Sequence, residues 1–411
     1  QMTGHQFMDL RMDNVDAGQN GGGGLNLGVH STGGSVNSHI AYVSANQNQQ
    51  ENVLVSLTAS NEVIARFTDI AANSSANSAG FSVNASNKSG KIEMTFTNIS
   101  ANANHAEGFR FDAESDSGTM DIRFKEIDAS DNGADGFRVN ARAGARLFMQ
   151  AEGITANNNA DDGIDLTLTT RETLEVTLRD STAGENDGYG ILLDARATNA
   201  TMIARLEHID ASRNGANIAA IFEADRDIIA HFSDITANGS EHGSGLIVGA
   251  VNRHDSIVLS FTNVTACGNS QYGIGILGFS EYGHIATRFV DNTIQSNGFS
   301  GLGVLLTATG NIDVFGEGNV ITHNDNFGFR LIAAAVGTAS LDFGNGALGS
   351  AGGNSIFGNL GTYDVDSEGS FSGATPENLV AQSNWWGTAS PDGSRVRRTV
   401  YTNWLTTAPN P

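Results

Sequence analysis

The sequence predicts an all-β protein: a right-handed parallel β-helix of about 12 coils of 27–28 residues with a C-terminal cap. Three observations carry that expectation. A glycine followed by an apolar residue recurs every 27 or 28 positions, at Gly80-Phe81, Gly108-Phe109, Gly136-Phe137, Gly163-Ile164 and Gly190-Ile191, and again at Gly245-Leu246, Gly273-Ile274, Gly301-Leu302 and Gly328-Phe329. A second phrase keeps step with the first, at Asn98-Ile99-Ser100-Ala101, Glu126-Ile127-Asp128-Ala129, His208-Ile209-Asp210-Ala211 and Asp234-Ile235-Thr236-Ala237. Between these marks apolar and polar residues alternate with period two, and helical spacing never persists. Self-similarity at a fixed period means stacked units that bury a continuous core between neighbours.

One repeat shows how the coil is built. Phe109, Phe111 and Ala113 fall on one face, and Arg110 and Asp112 on the other. Past the turn at Glu114 to Gly118, Met120, Ile122 and Phe124 point inward, followed by Ile127 and Ala129. Asn-Gly pairs at Asn20, Asn132, Asn214, Asn238 and Asn297 are expected to supply positive φ at the corners. The usual hand of parallel crossovers makes the coil right-handed. Coils stack about 4.8 Å apart, so about a dozen make a rod of roughly 60 Å. The same stacking should align Phe67, Phe96, Phe124, Phe232, Phe261 and Phe289 in one interior column, with Leu178 and Leu206 completing it.

The two ends differ. Leu10, Met12, Asn14, Val15 and Ala17 already match Met94, Phe96, Asn98, Ile99 and Ala101, so the repeats are expected to run from nearly the first residue to about 345. That edge is expected to continue into further sequence or to meet another chain. Over residues 346–411 the rhythm fades, and Trp385, Trp386 and Trp404 are expected to cover the final coil. The outward column also changes character, from Arg110, Asp112, Arg138 and Asn140 to Ile247, Gly249, Gly275, Leu277, Gly303, Leu305 and Ile332. An apolar outer face asks for a cover, either the chain's own tail from about residue 350 or a partner, and the tail, being nearer and about the right length, is the expected one.

Asn384-Trp385-Trp386-Gly387, Pro391-Asp392-Gly393 and Trp404-Leu405 follow an Asn-turn, Gly, apolar-strand pattern that spans residues 1–345. In these features the chain resembles secreted bacterial right-handed parallel β-helix repeat proteins. The resemblance implies the fold. For function it implies a range, from polysaccharide lyases, epimerases and hydrolases to adhesins and structural surface proteins.

Composition narrows that range. The chain carries 22 basic and 45 acidic residues, a net charge of -23. It therefore lacks the basic surface that nucleic acid or anionic lipid requires. No stretch of 18 apolar residues is present, so no membrane insertion is expected. Cys267 is the single cysteine, which rules out an intrachain disulfide, and it reads as a passive thiol. The polar, acidic surface suits an extracellular or cell-surface protein, and no signal peptide is read at the start of this chain.

Stacking converts spacing into candidate sites. Glu107, Asp135 and Asp162 each precede a strand-opening glycine and should form a vertical acidic ladder. Arg110 and Arg138 share an outward column that Asp165 continues, and Asp112 lies in the next column with Asn140, Thr167 and Asp194. Asp161 adds a carboxylate at the turn. Clustered carboxylates raise one another's pKa unless something compensates, and calcium at Glu107, Asp135 and Asp162 or the arginine column would do so. The resemblance adds that lyases of this fold combine acidic groups, often calcium, and a basic residue beside a uronate. Arg110, Arg138 and Asp165 are then the catalytic candidates, and Glu107, Asp112, Asp135, Asp161 and Asp162 the binding ones. The ten histidines show no metal-binding spacing, and the Gly-x-Gly runs open no helix.

The leading functional expectation is a non-enzymatic surface protein, structural or adhesive, that contacts glycans or other copies of itself through its N-terminal edge. The alternative is a polysaccharide-active enzyme, a lyase or epimerase, that uses the acidic and arginine patch. Coils of nearly constant length leave little chain for cleft walls, which favours the first.

Overall fold

The computed structural model describes residues 2–4, 6–371 and 379–409. It is a parallel β-solenoid of about 14 turns with almost no helix. The single 3-10 turn among the described residues is Gly393–Arg395. Two compact units are present, Gln1–Ala200 and Thr201–Pro411, and each is built from the same coil.

In the first unit each turn contributes a short and a long strand. The short strands Phe81–Asn87, Phe109–Ser115, Phe137–Ala143 and Ile164–Thr170 pair in parallel, with Phe81, Phe109, Phe137 and Ile164 in register. The long strands Lys91–Ser100, Thr119–Asp128, Leu147–Thr155 and Leu174–Thr182 pair likewise. Alternation places Phe109, Phe111 and Ala113 inside while Arg110 stays exposed and Asp112 half-exposed. It breaks once per coil. Glu126 takes φ 56° and drops out of the pairing between Lys125–Glu152 and Ile127–Ile154. Phe124 and Ile127 can therefore both point inward although three positions apart. Asn98 and Asp180 do the same in their own coils, at φ 55° and 52°.

The expected phenylalanine stack is present in each unit. Phe67, Phe96 and Phe124 lie 4.8 and 5.0 Å apart with nearly parallel rings. Phe232, Phe261 and Phe289 lie 5.0 and 5.2 Å apart. Ala151 stands in register between Phe124 and Leu178, so the column narrows there. A second column, Phe81, Phe109 and Phe137, meets the first edge to face, with Phe109 5.3 Å from Phe96 and Phe137 4.9 Å from Phe124.

At four of the five Asn-Gly corners the turn is built differently from expectation, and at Asn238-Gly239 the pair supplies the positive φ as expected. At Asn20, Asn132, Asn214 and Asn297 the left-handed residue is the one before, Gln19, Asp131, Arg213 and Ser296 respectively. The reason is a buried amide ladder. Nδ2 of Asn104 donates to Oδ1 of Asn132 (3.1 Å), Asn132 to Asn159 (3.1 Å) and Asn159 to Asn186 (3.0 Å). The main-chain N–H of each donates to the same oxygen as its side chain. An asparagine that must face its neighbours leaves the sharp turn to the preceding residue. The second unit repeats the device from Asn269 through Asn297 and Asn324 to Asn359.

Twelve coils were expected because the 27–28-residue period ends near residue 345, yet strands keep stacking beyond it. Ser355–Phe357 pairs with Val320–Thr322, and Val365–Phe371 with Phe329–Ala335. The period lengthens because a loop is inserted after Asp342. The buried Asp342 carboxylate accepts from the N–H groups of Gly344, Gly346, Leu348 and Ser350 at 2.9 to 3.1 Å. The Asn384-Trp385-Trp386-Gly387 phrase belongs to this stacking. Oδ1 of Asn384 accepts from Asn354 N–H, and Trp385 bridges Ser355. Trp386 is buried against Tyr401, while Trp404 is part-exposed. Residues 372–378 of the expected cap lie outside the described residues.

Among the described residues the expected cover over the apolar outer face is not there. Leu277 is 53% and Leu305 40% exposed. The tail is committed elsewhere, because Leu379–Val380 and Thr399–Val400 hydrogen-bond as successive strands and do not fold back. Among the described residues no helix is long and apolar enough to cross a membrane.

Candidate functional site

The acidic ladder sits where strand entry and corner packing meet. Gly136 follows Asp135, and a Cβ there would meet Ala129 O and Asn159 Nδ2, each at 2.5 Å. Only glycine lets the corner close on the amide ladder, and closure holds the preceding side chain at the mouth of the outward sheet face. Glu107 and Asp162 occupy the equivalent positions before Gly108 and Gly163.

The residues brought together are Glu107, Asp135, Asp161, Asp162, Asp165, Arg110 and Arg138. Arg138 lies at the centre, with its guanidinium 3.4 Å from Glu107, 3.6 Å from Asp165 and 3.9 Å from Asp135. Arg110 pairs with Asp112 at 2.7 Å and reaches Glu107 at 3.8 Å. Two coils beyond Arg138, Arg196 pairs with Asp194 at 3.0 Å. Thr167 and Asn140 are outward and exposed on the same face.

Burial separates the carboxyls. Asp135 and Asp162 are 7% and 8% exposed, while Asp161 faces solvent. Oδ1 of Asp135 accepts from the Asp162 N–H at 3.2 Å, and Oδ1 of Asp162 accepts from the Tyr189 N–H at 2.6 Å. Burial pushes the Asp135 pKa up to about 7, helped by the charges of Asp165, Asp162 and Asp161, and its hydrogen bond from Asp162 offsets only part of this. Burial outweighs the 3.9 Å contact to the part-exposed Arg138 guanidinium. Asp162 is raised to about 6, chiefly by burial and then by Asp161 and Asp165. Burial also raises Asp165, against the opposing pull of Arg138.

The carboxylates that could share a cation are Asp135, Asp161 and Asp162, whose ligand oxygens lie within 4.8 Å of one another. Glu107, expected as the third member, is instead drawn to Arg138 and Arg110 because its longer side chain reaches their column. The set fits a hard cation, since all donors are oxygens. Space is kept for it by Gly188, where a Cβ would stand 2.4 Å from Asp162 Oδ1 and 2.9 Å from Asp161 Oδ1. Sequence reasoning missed Tyr189 as the ladder's next member, whose backbone serves Asp162. The signal was its place directly before Gly190.

A second surface lies on the outward face of strands Leu246–Asn252, Ile274–Ser280 and Leu302–Ala308 in the other unit. There mostly aliphatic side chains, with Tyr272 and Arg330, line a groove of about 270 Å³.

No protein-family model matches the chain. No curated protein matches it either. Among solved structures it is similar to the A-module of the mannuronan C-5 epimerase AlgE6 of Azotobacter vinelandii. The identity is 11%, the TM-score 0.34, and the match covers 93% of this chain and 91% of that one.

Proposed function

We propose that the chain is a rigid scaffold of the cell exterior that contacts neutral glycans through the polar sheet face around Arg138, without chemically changing them. One observation carries this reading: each guanidinium on that face, of Arg110, Arg138, Arg142 and Arg196, already lies against a carboxylate of the same face. Arginines so engaged are poorly placed to seize a uronate carboxylate or to accept its C5 proton. The surplus carboxylates and the hydroxyl of Thr167 are acceptors suited to sugar hydroxyls. The corners between these strands are short, comprising 116–118, 129–136, 144–146 and 156–163, so the face has low walls. An acidic, polar exterior and a chain with a single cysteine are compatible with an extracellular or cell-surface location.

One observation favours a second reading, a uronate-directed lyase or epimerase. Asp135, held at a pKa of about 7 beside Arg138, has the proton affinity of a general acid or base at neutral pH. A uronate would have to approach a face of net negative charge, and a cation at Asp135, Asp161 and Asp162 would draw it in only by displacing the Asp135 proton, so this reading expects turnover without added calcium. The two are separated by incubating the chain with neutral and uronate polysaccharides, with and without calcium. The scaffold reading expects retention on a neutral glycan, lost in Arg138→Gln, with no new unsaturated ends and no inverted C5 centres. Turnover of any uronate polymer overturns it in favour of the enzyme.

A further inference from the structure

Gly249, Gly275 and Gly303 lie in strand interiors at outward-facing positions, and none has positive φ. The backbone therefore does not require glycine there. Glycine inside a strand costs stability and commonly marks a place where something else approaches closely. A Cβ at Gly275 would meet Ile247 Cδ1 at 2.5 Å, and one at Gly303 would meet Tyr272 Cε1 at 2.6 Å, while at Gly249 nothing lies within 4 Å. Ile247 and Tyr272 lie down across the bare strands and become walls of the groove. Leu277, Leu305 and Ile332 complete its apolar lining.

One cation reaches this lining. Arg330 borders the groove, and its Nε is buried with no hydrogen-bond partner among the described residues. Its guanidinium lies 5.2 Å from the Phe327 ring centroid. Asp366, in register on the next strand, is paired through Oδ2 with Arg397 at 3.7 Å, while its buried Oδ1 has no hydrogen-bond partner among the described residues. The part-exposed remainder of the guanidinium is the one charged donor on this lining, and a ligand that brings it a carboxylate would be favoured.

We propose that this groove binds a free amphipathic carboxylate of the fatty-acid class, its chain on Ile247, Leu277, Leu305 and Ile332 and its head group on Arg330. A sugar is the poorer occupant, because the Tyr272 hydroxyl and Arg330 are the main polar groups against many hydroxyls. The net charge of -23 repels anions at a distance, but at physiological salt that field is screened beyond about 8 Å. The proposal goes beyond the glycan reading, which rests on other residues, so either can fail alone.

The test is calorimetric titration of the whole chain with decanoate below its critical micelle concentration, at pH 8 and 0.15 M salt, with decan-1-ol as the uncharged comparison. One saturable site is expected. Arg330→Gln should weaken decanoate by roughly tenfold and leave decan-1-ol unchanged. Gly275→Leu should abolish both by filling the floor, its Cβ displacing the Ile247 methyl end. Wild-type melting of both variants is the control for folding. Absence of saturable binding, equal loss of acid and alcohol in Arg330→Gln, or undiminished binding in Gly275→Leu overturns the proposal.

Discussion

The main-chain N–H of Asp162 donates to Oδ1 of Asp135 one coil away, at 3.2 Å. This bond holds the Asp135 carboxyl inside a half-buried cluster, where its pKa rises to about 7 from the ordinary aspartate value of 3.8. The folded protein thus keeps a proton there that the unfolded chain has lost above about pH 4. Stability from this group is full below that pH and is lost as pH rises towards 7. Asp135→Asn keeps the acceptor oxygen and removes the titration. It should raise the melting temperature by a few degrees at pH 8 and change it little at pH 4, in paired thermal scans. Equal shifts at both pH values would mean that Asp135 is not held protonated.

Phe124 is sandwiched in its column against Phe96 at 5.0 Å and meets Phe137 edge to face at 4.9 Å. The coil above offers only Ala151 in register, so the gap left by truncation has little to collapse into it. Phe124→Ala should cost roughly 3–5 kcal/mol, measured by urea unfolding. A cost under about 1 kcal/mol would show that the column is not close-packed.

The coil, its register and the phenylalanine columns were legible because burial imposes period two and stacking imposes period 27–28. Phe96 and Phe124 align simply because they are 28 positions apart. The asparagine ladder was hidden. Asn132 and Asn159 look like turn residues, and sequence does not reveal that a polar side chain faces inward to serve its neighbours. The longer last coils were hidden too, because the loop on Asp342 breaks the period without breaking the strand pairing. At the site, the columns placed Arg138 beside Asp165. What they could not give was reach: Glu107 is long enough to leave the ladder for the arginines, whereas Asp161 is close enough to join it.

Asn159 Oδ1 accepts both the main-chain N–H and the side-chain amide of Asn132, at 3.0 and 3.1 Å. Asn159→Ala strands both donors in a buried corner, and each unsatisfied group costs about 1–3 kcal/mol. Stability should fall by several kcal/mol in urea unfolding, more than for a turn asparagine on the surface. Hydrogen exchange should also quicken at Asn132 first. A loss within about 0.5 kcal/mol would reduce the ladder to incidental contacts.

Asp135, Asp161 and Asp162 bring three carboxylates together at a cost that burial makes large, and either protons or a cation can relieve it. The two compete. Calcium added at pH 8, where the protons have mostly left, should raise the melting temperature, whereas at pH 5 it should do little. At a hundredfold excess over its dissociation constant a bound ion stabilises by about 2.7 kcal/mol. Asp161→Asn should abolish the response, because Asp161 is the exposed member and contributes little to folding by itself. Glu107→Gln should preserve it, because Glu107 faces Arg138 and Arg110. If the response were lost in Glu107→Gln and kept in Asp161→Asn, the ladder Glu107, Asp135, Asp162 would be the cation site after all. If chelator and calcium left the melting curve unchanged at pH 8, the cluster would be held by protons and by Arg138 alone.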